Sequence, residues 1–125
     1  MHRGRLYQFL LLLILSFVSI SSHADEWTST NSKQEIGFQT LLALDWIQTR
    51  HCLLDMPGCY EQNPLLGKHP SQEKLAIAVI ATSLSHVYVA HLLPQVWRDR
   101  FQKASIGIEA IVFARHLAFG IAIKF

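Results

Sequence analysis

PSQEKLAIAVIATSLSHVYVAHLLP, residues 70–94, is the stretch on which the fold turns. Every residue from Leu75 to Ala81 is apolar, and no proline interrupts the run before Pro94. Ser71 stands where a helix wants an N-cap, with Glu73 two residues further on. The continuous apolar run predicts a helix over about residues 71–93, stopped by Pro94. Its apolar part, about 19 residues at ~1.5 Å each, is long enough to cross a bilayer. Thr82, Ser85, His86 and Tyr88 place a polar patch in its second half.

Two further segments flank this one. Segment one carries Ile36, Leu41, Leu42, Leu44, Trp46 and Ile47 without an internal proline, and predicts a helix over about residues 35–54. Pro57-Gly58 then breaks the chain. Segment three, from Ala104 on, is apolar apart from Glu109, Arg115, His116 and Lys124, and predicts a helix over about residues 104–123. Ala110, Ala114 and Ala118 fall four apart and offer a smooth face for close helix packing. Between segments two and three, residues 94–103 form a short basic connection whose Trp97, Arg98 and Phe101 suit a membrane–water interface. The fold class is all-α: a small three-helix bundle, membrane-associated because segments two and three lack the polar outer face of a soluble helix.

The N-terminus is a separate unit. Arg3 and Arg5 precede an apolar run over residues 9–20, and Ser22-His23-Ala24 offers a cleavage site, the pattern of a signal peptide over residues 1–24. Residues 25–34 are polar and read as a mobile leader. Removing residues 1–24 takes two of the 11 Lys and Arg and none of the 9 Asp and Glu, so the remainder is formally neutral. A neutral chain with no basic cluster has no footprint for nucleic acid. No Gly-rich phosphate loop or Gly-x-Ser-x-Gly elbow occurs, and no cofactor is implied.

Export gives the cysteines their reading. Cys52 and Cys59 enclose Pro57-Gly58, and in an oxidising compartment they predict a disulfide clamping a small loop. The competing reading is a reduced metal pair, for which two cysteines alone are too few. By the positive-inside rule residues 94–103 would face the cytoplasm and the cysteine loop the periplasm. Segments two and three would then cross the membrane while segment one, with Asp45 in its middle, lies at the interface. The rival is a soluble periplasmic bundle.

Candidate chemistry comes from shared helix faces. Asp45 and Thr49, Thr82 and His86, and Glu109 and His116 each lie on one face of their segments. If those faces converge, Asp45, His86 and Glu109 are the candidate catalytic residues, and with His116 the candidate metal ligands. The plainer reading is that these groups satisfy one another structurally. His51 and His91 read as solvent-facing or interfacial, and His69 as part of a turn. In the loop 59–70, Asn63-Pro64 suits a turn and Gly67 permits a positive φ. Glu61 either accepts bonds from loop N–H groups or reaches the polar face near Asp45.

Asp45-Trp46-Ile47-Gln48-Thr49, followed by Glu61-x-Asn63-Pro64-Leu65-Leu66-Gly67-x-His69-Pro70, and then Leu93-Pro94, Arg98, Phe101-Gln102 and Ser105 to Ala110, resembles a family of small uncharacterised helical proteins, many encoded by phages or prophages. The resemblance covers roughly residues 40–121. It implies a helical architecture with no assigned activity, and marks Asp45, Thr49, Glu61, Asn63, Pro64, His86 and Glu109. The cysteine pair and Arg115-His116 depart from that family's pattern. The resulting expectation is an exported, membrane-associated, non-enzymatic protein of the inner membrane or periplasm. Its alternatives are a small intramembrane hydrolase or transferase or metal-binding protein using Asp45, His86 and Glu109, and the soluble bundle.

Overall fold

The structure, a computed structural model, describes residues 26–121, so the expected signal peptide lies outside the described residues. Among them it contains three helices and no strand: α1 (Ser29–Asp55), α2 (Gln72–Leu92) and α3 (Gln95–Ala118). The all-α expectation therefore holds. The helices run up, down and up, with α1 packed against both others and α2 and α3 meeting mainly at their shared corner.

Two helix starts differ from the sequence expectation. α1 begins at Ser29 rather than near residue 35, so most of the expected mobile leader is helix. The reason is a reciprocal cap: Thr28 Oγ1 accepts from the Asn31 N–H at 3.2 Å, and Asn31 Oδ1 accepts from the Thr28 N–H at 3.1 Å. Glu could have signalled this box at a glance; Asn in the same position hides it. α3 begins at Gln95 rather than near residue 104, so the expected basic connection is helix, and only Leu93 and Pro94 join α2 to α3. Pro94 sits at the N-cap with ψ 153°, where its missing N–H costs nothing and its fixed φ leads into the first turn. Ser71 caps α2 as expected, accepting from the Lys74 N–H at 3.1 Å.

Arg98 explains the corner. Expected at a membrane–water interface, it is fully buried instead. Its Nε donates to Ala90 O at 2.7 Å and its Nη2 to Leu93 O at 3.0 Å, so it occupies carbonyls that the C-terminus of α2 leaves without helical partners. Its Nη1 donates to Glu26 O at 3.1 Å, which ties down the chain ahead of α1. Trp27 stacks on His91 at 4.1 Å and lies 5.2 Å from the guanidinium. One buried cation thus joins the start of α1, the end of α2 and the start of α3. The two-span topology loses its main support here, because the basic loop on which it rested is a helix with one of its three cations buried.

At the opposite end, the Cys52–Cys59 disulfide closes the loop after α1, as the cysteine spacing predicted. Asn63 makes the expected turn by accepting from the Leu65 N–H at 3.0 Å, and the Glu61 N–H donates to Lys68 O at 2.9 Å to close the base of the loop. Gly58 and Gly67 have φ of 77° and 79°, a region that L side chains avoid, so each turn needs its glycine.

Polar side chains share the interior with apolar ones, and large apolar side chains are exposed on the outside. The largest fully buried side chains are Arg98, Gln48, Gln102 and Asn31, while Ile77, Ile80, Leu84, Tyr88, Ile108 and Ile111 are exposed. Ala110, Ala114 and Ala118 face outward, so the expected packing face of α3 is not used within the chain. The buried apolar core is small and centres on Phe38, Leu42, Leu75 and Ala90. Phe38→Ala is expected to lower stability by about 3–5 kcal/mol, because it opens a cavity beneath His86. Ile36→Ala, two residues away but 66% exposed, should stay within about 0.5 kcal/mol. Thermal unfolding followed by circular dichroism distinguishes the two.

Candidate functional site

The three expected polar faces do not converge on one point; they form two separate sites along α1. The first lies near the Arg98 corner. Glu35 of α1 faces His86 of α2, whose Nδ1 lies 3.0 and 3.1 Å from the two carboxylate oxygens. Glu35 also accepts from Gln39 Nε2 at 2.8 Å and from Gln102 Nε2 at 3.1 Å. Gln102 in turn accepts from Asn31 Nδ2, and Gln39 accepts from the Ser83 hydroxyl at 2.6 Å. The imidazole is stacked between Phe38 at 3.6 Å and Phe101 at 4.5 Å. Only acceptors face Nδ1, so that nitrogen carries a proton.

This network joins the three helices, and it leaves His86 Nε2 buried without a hydrogen-bond partner. Burial alone would raise the pKa of Glu35, but hydrogen bonds from Gln39, Gln102 and His86 outweigh it and hold the carboxyl below its ordinary range. Its contribution to stability is therefore present above the ordinary value of 4.5 and is lost as pH falls through the lowered value. Thr82, expected to share the His86 face, is exposed and bonds back to Ala78 O; Ser83 takes the inward position. His51, expected near solvent, is buried and pairs with Asp55 at 2.8 Å.

The second site is a cleft of about 560 Å³ at the disulfide end. Asp45 and Thr49 from α1, Glu109 and His116 from α3, and Glu61 and Asn63 from the loop all line it. Two of the three face-sharing pairs thus meet as expected, and the marked loop residues join them. His86 does not line this cleft. His116 Nδ1 bonds Gln48 Oε1 at 3.1 Å and lies equally close to Asp45 Oδ1, which has no hydrogen-bonding donor. Gln48 Nε2 donates to Ile121 O at 3.5 Å, which orients the amide so that its oxygen faces the imidazole. Glu61 Oε1 accepts from the Asn63 N–H at 2.8 Å, so this residue shapes the loop and borders the cleft at once.

Glu109 is the perturbed group. Burial pushes its carboxyl above the usual range, the Asp45 charge adds to the shift, and His116 partly offsets it. Its Oε2 is buried without a donor. Among the described residues no group of three or more His, Cys, Asp or Glu is arranged to hold a metal ion. The expected set of Asp45, His86, Glu109 and His116 is divided between the two sites.

The chain matches no family model, no curated protein and no solved structure. The likeness carried by the Asp45–Thr49 and Glu61–Asn63–Pro64 motifs therefore stays a resemblance, and the geometry alone carries the functional reading.

Glu35 and Asn31 were missed at the level of sequence, and Gln48 and Gln102 entered only as part of the resemblance, although a signal for buried polar residues exists. Asn31, Glu35 and Gln39 recur every four residues, as do Arg98 and Gln102, which is the helical period written in polar rather than apolar residues. Glu35→Ala is expected to cost about 3–5 kcal/mol, since it strands buried His86 and Gln102, whereas Asp45→Asn in the open cleft should cost about 1 kcal/mol or less. Chemical denaturation measures both. Glu109→Gln should be more stable than the wild type at pH 7, because a raised folded-state pKa penalises the fold once the carboxyl ionises. That advantage should vanish below about pH 4.5, where both folded and unfolded states are protonated, as melting curves across pH would show.

Proposed function

We propose that the chain is an exported, non-enzymatic helical protein held at a membrane surface by the outer faces of α2 and α3, acting there through the envelope or a partner. The observation that carries this reading is the set of large apolar side chains exposed on α2 and α3 around an interior rich in polar groups. On α2, Ile77, Ile80, Leu84 and Tyr88 are exposed at helical spacing, and on α3 Ile108 and Ile111 join the outward Ala114 and Ala118. The outer side of α1 is more mixed: Lys33, Thr40 and Arg50 are exposed there beside Ile36 and Leu54. α2 is the one described helix long and apolar enough to cross a membrane.

Topology favours lying against the bilayer over crossing it. Glu26 and Arg98 share one end of the bundle and the disulfide the other, separated by the ~40 Å length of the 27-residue α1. Export of the N-terminus puts the first end outside, and an oxidised cysteine pair puts the second end outside as well. A bundle with both ends on one side does not span. Binding then scales with the apolar area that α2 and α3 bury in the headgroup region.

The protein is expected to stay in the membrane pellet after alkaline carbonate and to need detergent for release. The double variant Leu84→Arg, Ile111→Arg should move to the soluble fraction with its helical circular dichroism intact. Cysteines introduced as Thr30→Cys and Leu65→Cys should both react with a membrane-impermeant maleimide added from outside. Recovery of the wild type as a detergent-free soluble monomer would sink the membrane reading, and reaction of only one of the two cysteines would mean that the bundle crosses.

A further inference from the structure

We infer that the cleft at the disulfide end binds a small organic ammonium compound with an apolar body. The cavity, about 560 Å³, is large for so short a chain and falls in the range of ligand sites. Its lining divides by chemistry. Met56, Tyr60, Val112, Phe119 and Ile121 supply an apolar and aromatic wall. Asp45, Glu109 and His116, with Thr49, Glu61 and Asn63 beside them, supply the polar one.

The polar wall is rich in acceptors and short of donors. Glu109 Oε2 is buried with no donor from the protein, and Asp45 Oδ1 makes no hydrogen bond although His116 Nδ1 lies 3.1 Å from it. His116 Nδ1 faces two acceptors, Gln48 Oε1 and Asp45 Oδ1, each at 3.1 Å, so its one N–H cannot satisfy both. The guanidinium among the lining residues, Arg115, donates to Gln62 Oε1 at 3.2 Å and lies over the Phe119 ring at 5.8 Å, at the rim. Two neighbouring carboxylates in a half-enclosed site repel, and a charge placed between them replaces that repulsion by attraction. An ammonium group brings that charge together with several N–H donors, which matches the unmet acceptors of Asp45 and Glu109. The apolar wall, with Phe119 and Tyr60 on it, distinguishes an organic cation from a bare ion, since an aromatic face and aliphatic surface gain from an apolar body. The disulfide holds this wall: Cys52 and Cys59 themselves line the cleft.

The inference does not depend on the membrane reading, and its test uses detergent-solubilised full-length protein. 2-Phenylethylammonium is titrated calorimetrically at pH 7, with 2-phenylethanol as the uncharged analogue. The expected result is saturable one-to-one binding of the ammonium compound, with no saturable binding of the alcohol. Glu109→Gln should weaken binding at least tenfold. So should Val112→Trp, which fills the cleft and keeps both carboxylates, with melting curves reporting that each variant is folded. Glu73→Gln, away from the cleft, should bind as the wild type does. The inference is overturned if both cleft variants bind within twofold of the wild type, or if the alcohol binds as tightly as the ammonium. It is overturned equally by calcium alone saturating the site and displacing the probe, or by the absence of saturable binding.

Discussion

The guanidinium of Arg98 is the constraint from which the rest of the bundle follows. A helix end exposes carbonyls that need donors, and an end buried in a bundle must find them inside the protein. Arg98 supplies them to Ala90 and Leu93 at the end of α2, and extends to Glu26 O ahead of α1. Because Pro94 allows no longer link, α3 turns back directly beside α2, and the first residue of the described chain is drawn to the same point. The corner is therefore fixed by hydrogen bonds to one side chain rather than by apolar packing. A buried cation in this role is costly to strand, which makes its surroundings, Asn31, Gln95 and Gln102, polar in turn.

That polar start explains why so many polar side chains lie inside beside the small apolar core. From Arg98 the network runs through Asn31 and Gln102 to Glu35 and His86 Nδ1, and ends at His86 Nε2, which is buried without a partner. Apolar residues of α2 and α3 are left for the outside, where water gives them nothing and a lipid surface does. Glu35 and Glu109 show how environment separates two similar groups. Three donors hold the first ionised, while the second, with none and with Asp45 nearby, favours its proton. The first belongs to architecture. The second stands at the edge of open space, where unmet acceptors can meet a ligand.

Much of this was legible in the residues. The apolar run of α2, the Ser71 cap, the proline stop at 94, the disulfide and the Asn63-Pro64 turn are local features, each decided within a few residues of chain. The pairing of Asp45 and Thr49 with Glu109 and His116 was also foreseeable, because helical spacing puts each pair on one face. What failed was the reading of polar stretches as loops. Residues 29–34 and 95–103 are helical because their polar side chains point inward to long-range partners, such as Asn31 to Gln102 and Gln34 to Asp99 at 2.7 Å. Sequence periodicity was sought in apolar residues, and these helices carry it in amides and charges.

The sequence by itself determined three helical segments, their approximate stops and the cysteine clamp, since those depend on propensity, caps and proline geometry over short distances. Only the tertiary structure decided which polar residues lie inside, that His86 belongs with Glu35 and not with Asp45, and that a cleft opens beside the disulfide. The physical reason is that a side chain's partner more than 50 residues away, as for Glu35 and His86 at a separation of 51, is set by how whole helices pack. Helix packing is chosen by the combined demand of every buried donor and acceptor for a partner, and no single stretch of sequence contains that sum.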